Sequence, residues 1–458
     1  MKDLTQGSIA KHLLSLSIFI ALSMAFQTLY YLVDLYFVGR IGKEAIAAVA
    51  LAGNIMLVVL AITQALSVGT TTLVSHAVGR KDPERAGLVF NQAFVLSCAV
   101  GLGFGLIAFA LRRVYCDLLG ADPVTAALGV EYLNWFIPGM TLQFLIVSMA
   151  AALRGSGVML PTMVIQILSV LVNLALAPVL ILGWGTGRPL GVAGAAIATC
   201  IAVVAGVVMF WIYFLRPGNY LRMKTSQMPP QPKLLWEMSK IGMPAGGEFL
   251  LMSVYMVLVY WIIRPFGAAA QAGFGIGGRL MQSMFLPTMA VAFAAAPVAG
   301  QNFGARNAER VRATFRAAVS LTTAVMIVAV VLSHLAPGRM IGLFSQDPAV
   351  IAFGAQFLRI ISFNFIAVGI VFTCSSMFQG MGNTVPPLAC SALRIVIFAL
   401  PALLLSIRPG FEIRQVWFLS VTTVALQAIL AFVLLQREFK RRLRFGETAA
   451  PPAATAAV

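Results

Sequence analysis

The sequence predicts an all-α polytopic membrane protein: twelve transmembrane helices in two parallel-repeat six-helix lobes around a central cavity. Three observations carry that expectation. Of the 458 residues, 60% are hydrophobic and 10% charged, which leaves too little polar surface to cover a water-soluble chain of this length. The apolar runs are long, near the ~20 residues needed to cross a hydrocarbon core of about 30 Å. Finally, three separated loop motifs recur at a single offset.

The segments fall at about 12–38, 49–75, 88–111, 128–152, 160–184, 192–215, 241–263, 275–299, 313–336, 352–378, 386–407 and 413–436. They are continuously apolar rather than alternating, which excludes a porin-type barrel. The first segment is too long for a signal-peptide core and lacks a small-residue cleavage site.

The formal net charge of +17 does not point to nucleic acid, because the charges are sorted by side. With the amino terminus inside, 20 Lys/Arg fall on the inner side and nine on the outer. Arg279, Arg359 and Arg394 lie within segments. This is the positive-inside asymmetry, and it places both termini in the cytoplasm.

The repeat pairs "LLGADPVTAALGVEYL" (118–133) with "LFSQDPAVIAFGAQFL" (343–358). It pairs "LRGSGVMLPTM" (153–163) with "FQGMGNTVPPL" (378–388), and "VGRKDPER" (78–85) with "FGARNAER" (303–310). All three pairs share an offset of 225 residues, which superposes Asp122 on Asp347, Gly155 on Gly380, and Glu84-Arg85 on Glu309-Arg310. Six helices per repeat return the chain to the same side, so the lobes are parallel repeats. The expected organisation is an amino-terminal lobe (1–215), a basic, Pro-containing cytoplasmic linker (216–240), a carboxyl-terminal lobe (241–440) and a disordered tail (441–458). Two bundles flanking a cavity suit alternating access.

Ionisable residues inside a membrane are functional candidates by default. Asp34 in the first segment and Glu248 in the seventh are the acids well inside. Ser23, Gln27, Tyr30 and Asp34 recur at four, three and four residues and so share one helix face. Gln166, Ser169 and Asn173 form a similar stripe in the fifth segment. Such stripes either glue helices together or line a site. A carboxylate there can load and release a proton or ligate sodium through its oxygens. Glu248 follows "IGMPAGG" (241–247), where Pro244 and Gly246-Gly247 predict a flexible break. It is a candidate second coupling or substrate residue, or a glutamate facing the cytoplasm near the start of its helix.

No enzyme is indicated. The P-loop pattern is absent, Cys98, Cys116, Cys200, Cys374 and Cys390 have no metal-ligand spacing, and His12, His76 and His334 are dispersed. The glycines of "GFGIGG" (273–278) read as close helix packing. No cofactor or metal is expected.

The chain resembles the multidrug and toxic compound extrusion (MATE) family over about residues 5–440. The resemblance is carried by "LYYLVDLYFVGRIG" (29–42), "LVSHAVGRKDPERA" (73–86), "LRGSGVMLPTM" (153–163), "NLALAPVLILGWG" (173–185), "GVAGAAIAT" (191–199) and "APVAGQNFGARNAERV" (296–311). It implies a bacterial inner-membrane antiporter, monomeric, that expels cationic amphipathic compounds in exchange for protons or sodium. By position it implies that Asp34 couples the ion and that Gln27, Tyr30 and Asn173 line the cavity; Glu248, a cavity candidate from its own place in the seventh segment, lies about one turn before the family's helix-7 acid. Three departures stand out. Ala177 replaces a second acid of the fifth helix, Tyr31 replaces an asparagine before "LVD", and Val368 stands near an acid of the tenth helix. The alternatives are a flippase for a lipid-linked or polysaccharide precursor, which Arg279, Arg359 and Arg394 pointing inward would favour, and a channel-like membrane protein.

Overall fold

A computed structural model describes residues 2–120, 122–185 and 187–445, apart from the side chains of Tyr31, Asp34, Leu35 and Lys43. The expected disordered tail falls mostly on residues 446–458, outside the described residues.

Among the described residues all regular structure is helical. The helices are α1 (Ile9–Gly39), α2 (Lys43–Gly79), α3 (Pro83–Leu119), α4 (Pro123–Gly155), α5 (Leu160–Leu182), α6 (Gly191–Leu215) and α7 (Pro232–Ile263). They continue with α8 (Ala268–Gly304), α9 (Ala308–Leu335), α10 (Pro337–Gly342), α11 (Pro348–Ile361), α12 (Asn364–Gly380), α13 (Val385–Ser406) and α14 (Ile413–Arg442). Eleven are long and apolar enough to span a membrane, and α11 with α12, bent by 55°, make a twelfth span. Large apolar side chains left bare on the outer faces, such as Leu102 and Leu106 of α3 and Val257 of α7, suit hydrocarbon rather than water.

The 225-residue offset holds for whole helices. It carries Lys43–Gly79 onto Ala268–Gly304, and α4 onto the bent pair α11–α12. The bend at Ser362-Phe363 falls in register with Pro138 inside α4. Where α3 runs unbroken, the second repeat stops at Ala336, because a residue before proline is biased away from helix. The recurring motifs are helix starts. Asp82 accepts from the Arg85 amide and, 225 residues on, Asn307 accepts from the Arg310 amide. Asp122 and Asp347 likewise cap α4 and α11. Gly155 lies against the Thr71 carbonyl and Gly380 against that of the equivalent Ala296. In each repeat these contacts bring the end of the fourth span onto the second.

The packing repeats as well. α1 packs on α5 of its own repeat and α8 of the other, and α7 packs on α13 and α2 in the same way. Two expectations are corrected in α7. The helix begins at Pro232, taking in part of the expected linker, so Glu248 sits at mid-helix rather than near its start. It also runs unbroken through Pro244. Gly242 and Gly246 are not a flexible break: they let α7 lie on the carbonyls of Ala65 and Ala61 of α2, where a Cβ would collide. The "GFGIGG" glycines behave as expected at Gly273 and Gly277, which pack on α11.

The repeats join toward the end where α1 begins and α14 stops, here called the terminal end. There the leading segment crosses both repeats. Lys2 N donates to the Ser156 carbonyl (3.2 Å), Leu4 N to Gln301 Oε1 (3.0 Å), and Asn302 Nδ2 to the Leu4 carbonyl (3.2 Å). Arg310 Nη1 donates to the Gly7 carbonyl at 3.0 Å. The Thr5 hydroxyl and amide, both donating to Asp3, hold that carboxyl below the usual carboxylate range.

Candidate functional site

The residues singled out from sequence fall into two clusters, one per repeat. In the first, Tyr30 of α1 reaches Thr199 of α6, hydroxyl to hydroxyl, at 2.7 Å. Gln27 lies half-buried one turn earlier on the same helix. Asn173 of α5 is 1% exposed, and among the described residues both polar atoms of its amide lack a hydrogen-bond partner, as does Ser169 Oγ one turn before it. Buried amides are normally satisfied, which sets this one apart. Ser23 is turned back on its own helix, donating to the Phe19 carbonyl. Asp34 is part of α1 near the end away from the termini, and its side chain lies outside the described residues. Ala177, one turn beyond Asn173, is fully buried.

The second cluster surrounds Glu248. Its Oε2 accepts from Ser375 Oγ of α12 at 3.0 Å and its Oε1 from Ser391 Oγ of α13 at 3.3 Å. Behind these, Gln379 Nε2 donates to Ser375 Oγ (3.3 Å) and Gln427 Nε2 to Ser391 Oγ (3.1 Å). A small cavity between Glu248, Ser375, Pro387, Cys390 and Gln427 adjoins the carboxylate. Sequence reading found Glu248 but none of its partners, because they come from three other helices.

The clusters are not copies of each other. The repeat sets Tyr255 opposite Tyr30, and Tyr255 likewise bonds the sixth span of its repeat, at Ser420 Oγ of α14 (3.0 Å), one turn before Val424, the equivalent of Thr199. Opposite Asn173, however, stands Phe398, whose ring lies 5.0 Å from that of Tyr255. Opposite Asp34 stands Val259, buried in an apolar core with Phe274 and Trp417. Glu248 is eleven residues before Val259, so the two acids differ in depth by about 16 Å along their helices.

At the junction of the repeats lies a pocket lined by Gln64, Ser67, Thr71, Arg154, Phe293 and Gln379, among others. It is closed toward the terminal end by Thr72 Oγ1 donating to the Gln379 carbonyl (2.8 Å) and His76 Nε2 on the Gly380 carbonyl (2.7 Å). Gln301 Nε2 donates to the Gly155 carbonyl (3.0 Å). Arg154 had counted only as one more inner-side charge. Its signal was its place in "LRGSGVMLPTM", aligned with Gln379 of "FQGMGNTVPPL". Of the other arginines, Arg279 and Arg359 are exposed, and Arg394 is folded over the Tyr255 ring at 4.6 Å.

This is the build of a multi-pass membrane transporter: two repeats of six spans, acids held inside helices, and a pocket between the repeats closed at one end. The MatE family model matches residues 20–179 and 244–404, well over half of the chain and one block in each repeat. The chain belongs to the MatE family of multidrug efflux transporters. It is 27% identical over 404 residues to the probable multidrug resistance protein YpnP of Bacillus subtilis, covering 87% of this chain and 88% of that one. It is 26% identical over 379 residues to the multidrug export protein MepA of Staphylococcus aureus, covering 82% and 83%. In fold it matches a solved multidrug resistance MATE family transporter of the MOP superfamily, described in an outward-facing conformation, with a TM-score of 0.88 and 24% identity. That match covers 96% of this chain and 98% of the other.

Proposed function

We propose that this chain is a secondary exporter of small amphipathic organic compounds, driven by inward movement of protons or sodium. The coupling ion is loaded at Asp34, with Gln27, Tyr30 and Asn173 around it, and Glu248 serves the second repeat. The observation that carries this reading is the buried Asn173 amide, unpartnered at both atoms on a helix packed against the Asp34 helix. An amide so placed offers an oxygen to a cation and an N–H to a carboxylate, and packing alone gives no reason to bury it.

The sorting of Lys and Arg makes the terminal end cytoplasmic, and the contacts between repeats close that end. On this reading the conformation is closed toward the cytoplasm. Ion and substrate need only stabilise different states for the cycle to couple them. A flippase would call for arginines gathered on the cavity. Arg394 is held on Tyr255 and, of the described residues lining the junction, Arg154 is the one arginine, short of the gathered set that reading calls for. The test is Asp34→Asn in inside-out vesicles under an imposed pH or sodium gradient. The variant should insert normally and lose gradient-driven substrate uptake, and undiminished driven transport would sink the assignment.

A further inference from the structure

The pocket at the junction of the repeats has a charge that the reading above does not use. Its walls pair off under the 225-residue offset: Val68 with Phe293, Thr71 with Ala296, and Arg154 with Gln379. It therefore lies on the axis relating the repeats, where a bound molecule touches both. At this site the two repeats differ by one full charge.

Arg154 sits in the last turn of α4 with its Nε buried and without a partner. Among the described residues its hydrogen bond is a long one, Nη1 to Ser67 Oγ at 3.4 Å, with the Phe293 ring 5.8 Å from the guanidinium carbon. No carboxylate pairs with it among the described residues. A guanidinium taken from water without a counter-charge is costly. The fold does not require one here, because the equivalent position holds the neutral Gln379, which is satisfied by donating to Ser375. Gln64 adds an amide to the same wall. Gln379 in turn leads through Ser375 to Glu248, so the pocket has a cation on one side and a hydrogen-bonded route to an acid on the other.

We infer that the Arg154 wall of this pocket is an anion-accepting subsite. Arg154 takes the carboxylate, or a similar anionic oxygen group, of a zwitterionic organic substrate, with the cationic portion directed toward the Glu248 side. A guanidinium with free N–H groups presents the planar fork that matches a carboxylate. This rests on the reading of the chain as an organic-solute exporter and adds to it a substrate class.

A matched pair of dyes tests it: rhodamine 110, a zwitterion with a free carboxylate, and rhodamine 123, its methyl ester. Binding to the purified full chain is followed by fluorescence polarisation, and transport is followed in proteoliposomes. Wild type should favour rhodamine 110 by about tenfold or more, the scale of a charge-assisted bond. Arg154→Gln should bring the two dyes within about twofold of each other by weakening rhodamine 110 alone, and Arg154→Lys should keep part of the preference. An unchanged ratio in Arg154→Gln, or equal weakening of both dyes as expected of a structural role, overturns the subsite while leaving the exporter reading intact. Binding of neither dye to wild type overturns both.

Discussion

His76 and Gln301 occupy equivalent positions of the two repeats and make the same bond in opposite directions. His76 Nε2 lies 2.7 Å from the Gly380 carbonyl and Gln301 Nε2 lies 3.0 Å from that of Gly155, itself the equivalent of Gly380. Each repeat thus holds the other by the end of its fourth span. The backbones meet nearby in the same reciprocal way, Gly79 against the Gln301 carbonyl and Gly304 against that of His76.

On the proposed transport cycle this pair is a latch on the closed end. Each bond is worth about 1 kcal/mol net, so His76→Ala and Gln301→Ala should each shift the balance toward the state open at the terminal end about fivefold. A cysteine at Ser67, in an otherwise cysteine-free chain, should be labelled faster from that side by an impermeant maleimide, and faster again in the double variant. Equal labelling rates in all the variants would remove the latch role.

Asn173→Ala separates packing from ion handling by the sign of its effect. Were the amide a structural bond, its loss would destabilise the protein by about 1 kcal/mol or more. Because both of its polar atoms are buried without partners, the variant should unfold at the same or a higher temperature. Ion-driven efflux should fall at the same time. Reduced thermal stability with full coupling would contradict the site.

Glu248 is held by two serine hydroxyls, and a hydrogen bond to a charged group is worth about 1.5–3 kcal/mol. Ser375→Ala should therefore change the apparent affinity for the coupling ion by about tenfold or more. Glu248→Gln, close in shape, should abolish that part of the substrate-triggered ion release with little change in melting temperature. Isothermal titration in two buffers of different ionisation enthalpy reads the proton count, and an unaltered count in Glu248→Gln would exclude the residue from coupling.

The approach of α7 to α2 can be tested by adding one methyl group. Gly242→Ala drives a Cβ into the Ala65 carbonyl, and overpacking of this kind costs about 1–3 kcal/mol. Gly278→Ala on α8 meets nothing within 4 Å and should be neutral or slightly stabilising, since alanine favours helix. Melting curves in detergent should separate the two variants by several degrees, and identical curves would mean that α7 does not sit on α2 in this way.

Much of this was legible in the chain. The apolar runs are long because every backbone polar group in lipid must be satisfied within its own helix, so the spans could be read one at a time. The offset was legible because the positions that recur, Asp82 with Asn307 and Gly155 with Gly380, do local work: capping a helix, or leaving room for a carbonyl. The stripe of Ser23, Gln27, Tyr30 and Asp34 was read from helical period alone; of it Tyr30 meets Thr199 while Ser23 turns back on its own helix. Glycine beside proline before Glu248 misled, since the same residues serve a kink or a close helix contact, and only the neighbour α2 distinguishes the two.

What the sequence alone determined is the material of each span, the duplication and the two acids, because these depend on neighbours three or four residues away or on direct comparison of the halves. The tertiary structure decided which side chains meet. Ser375, Ser391, Gln379 and Gln427 gather around Glu248 from α12, α13 and α14, and Arg154 faces Gln379 across the junction of the repeats. Residues more than a hundred positions apart become partners only when helices cross at particular depths. Those depths are set by small residues and packed side chains along the whole interface, which no local pattern encodes.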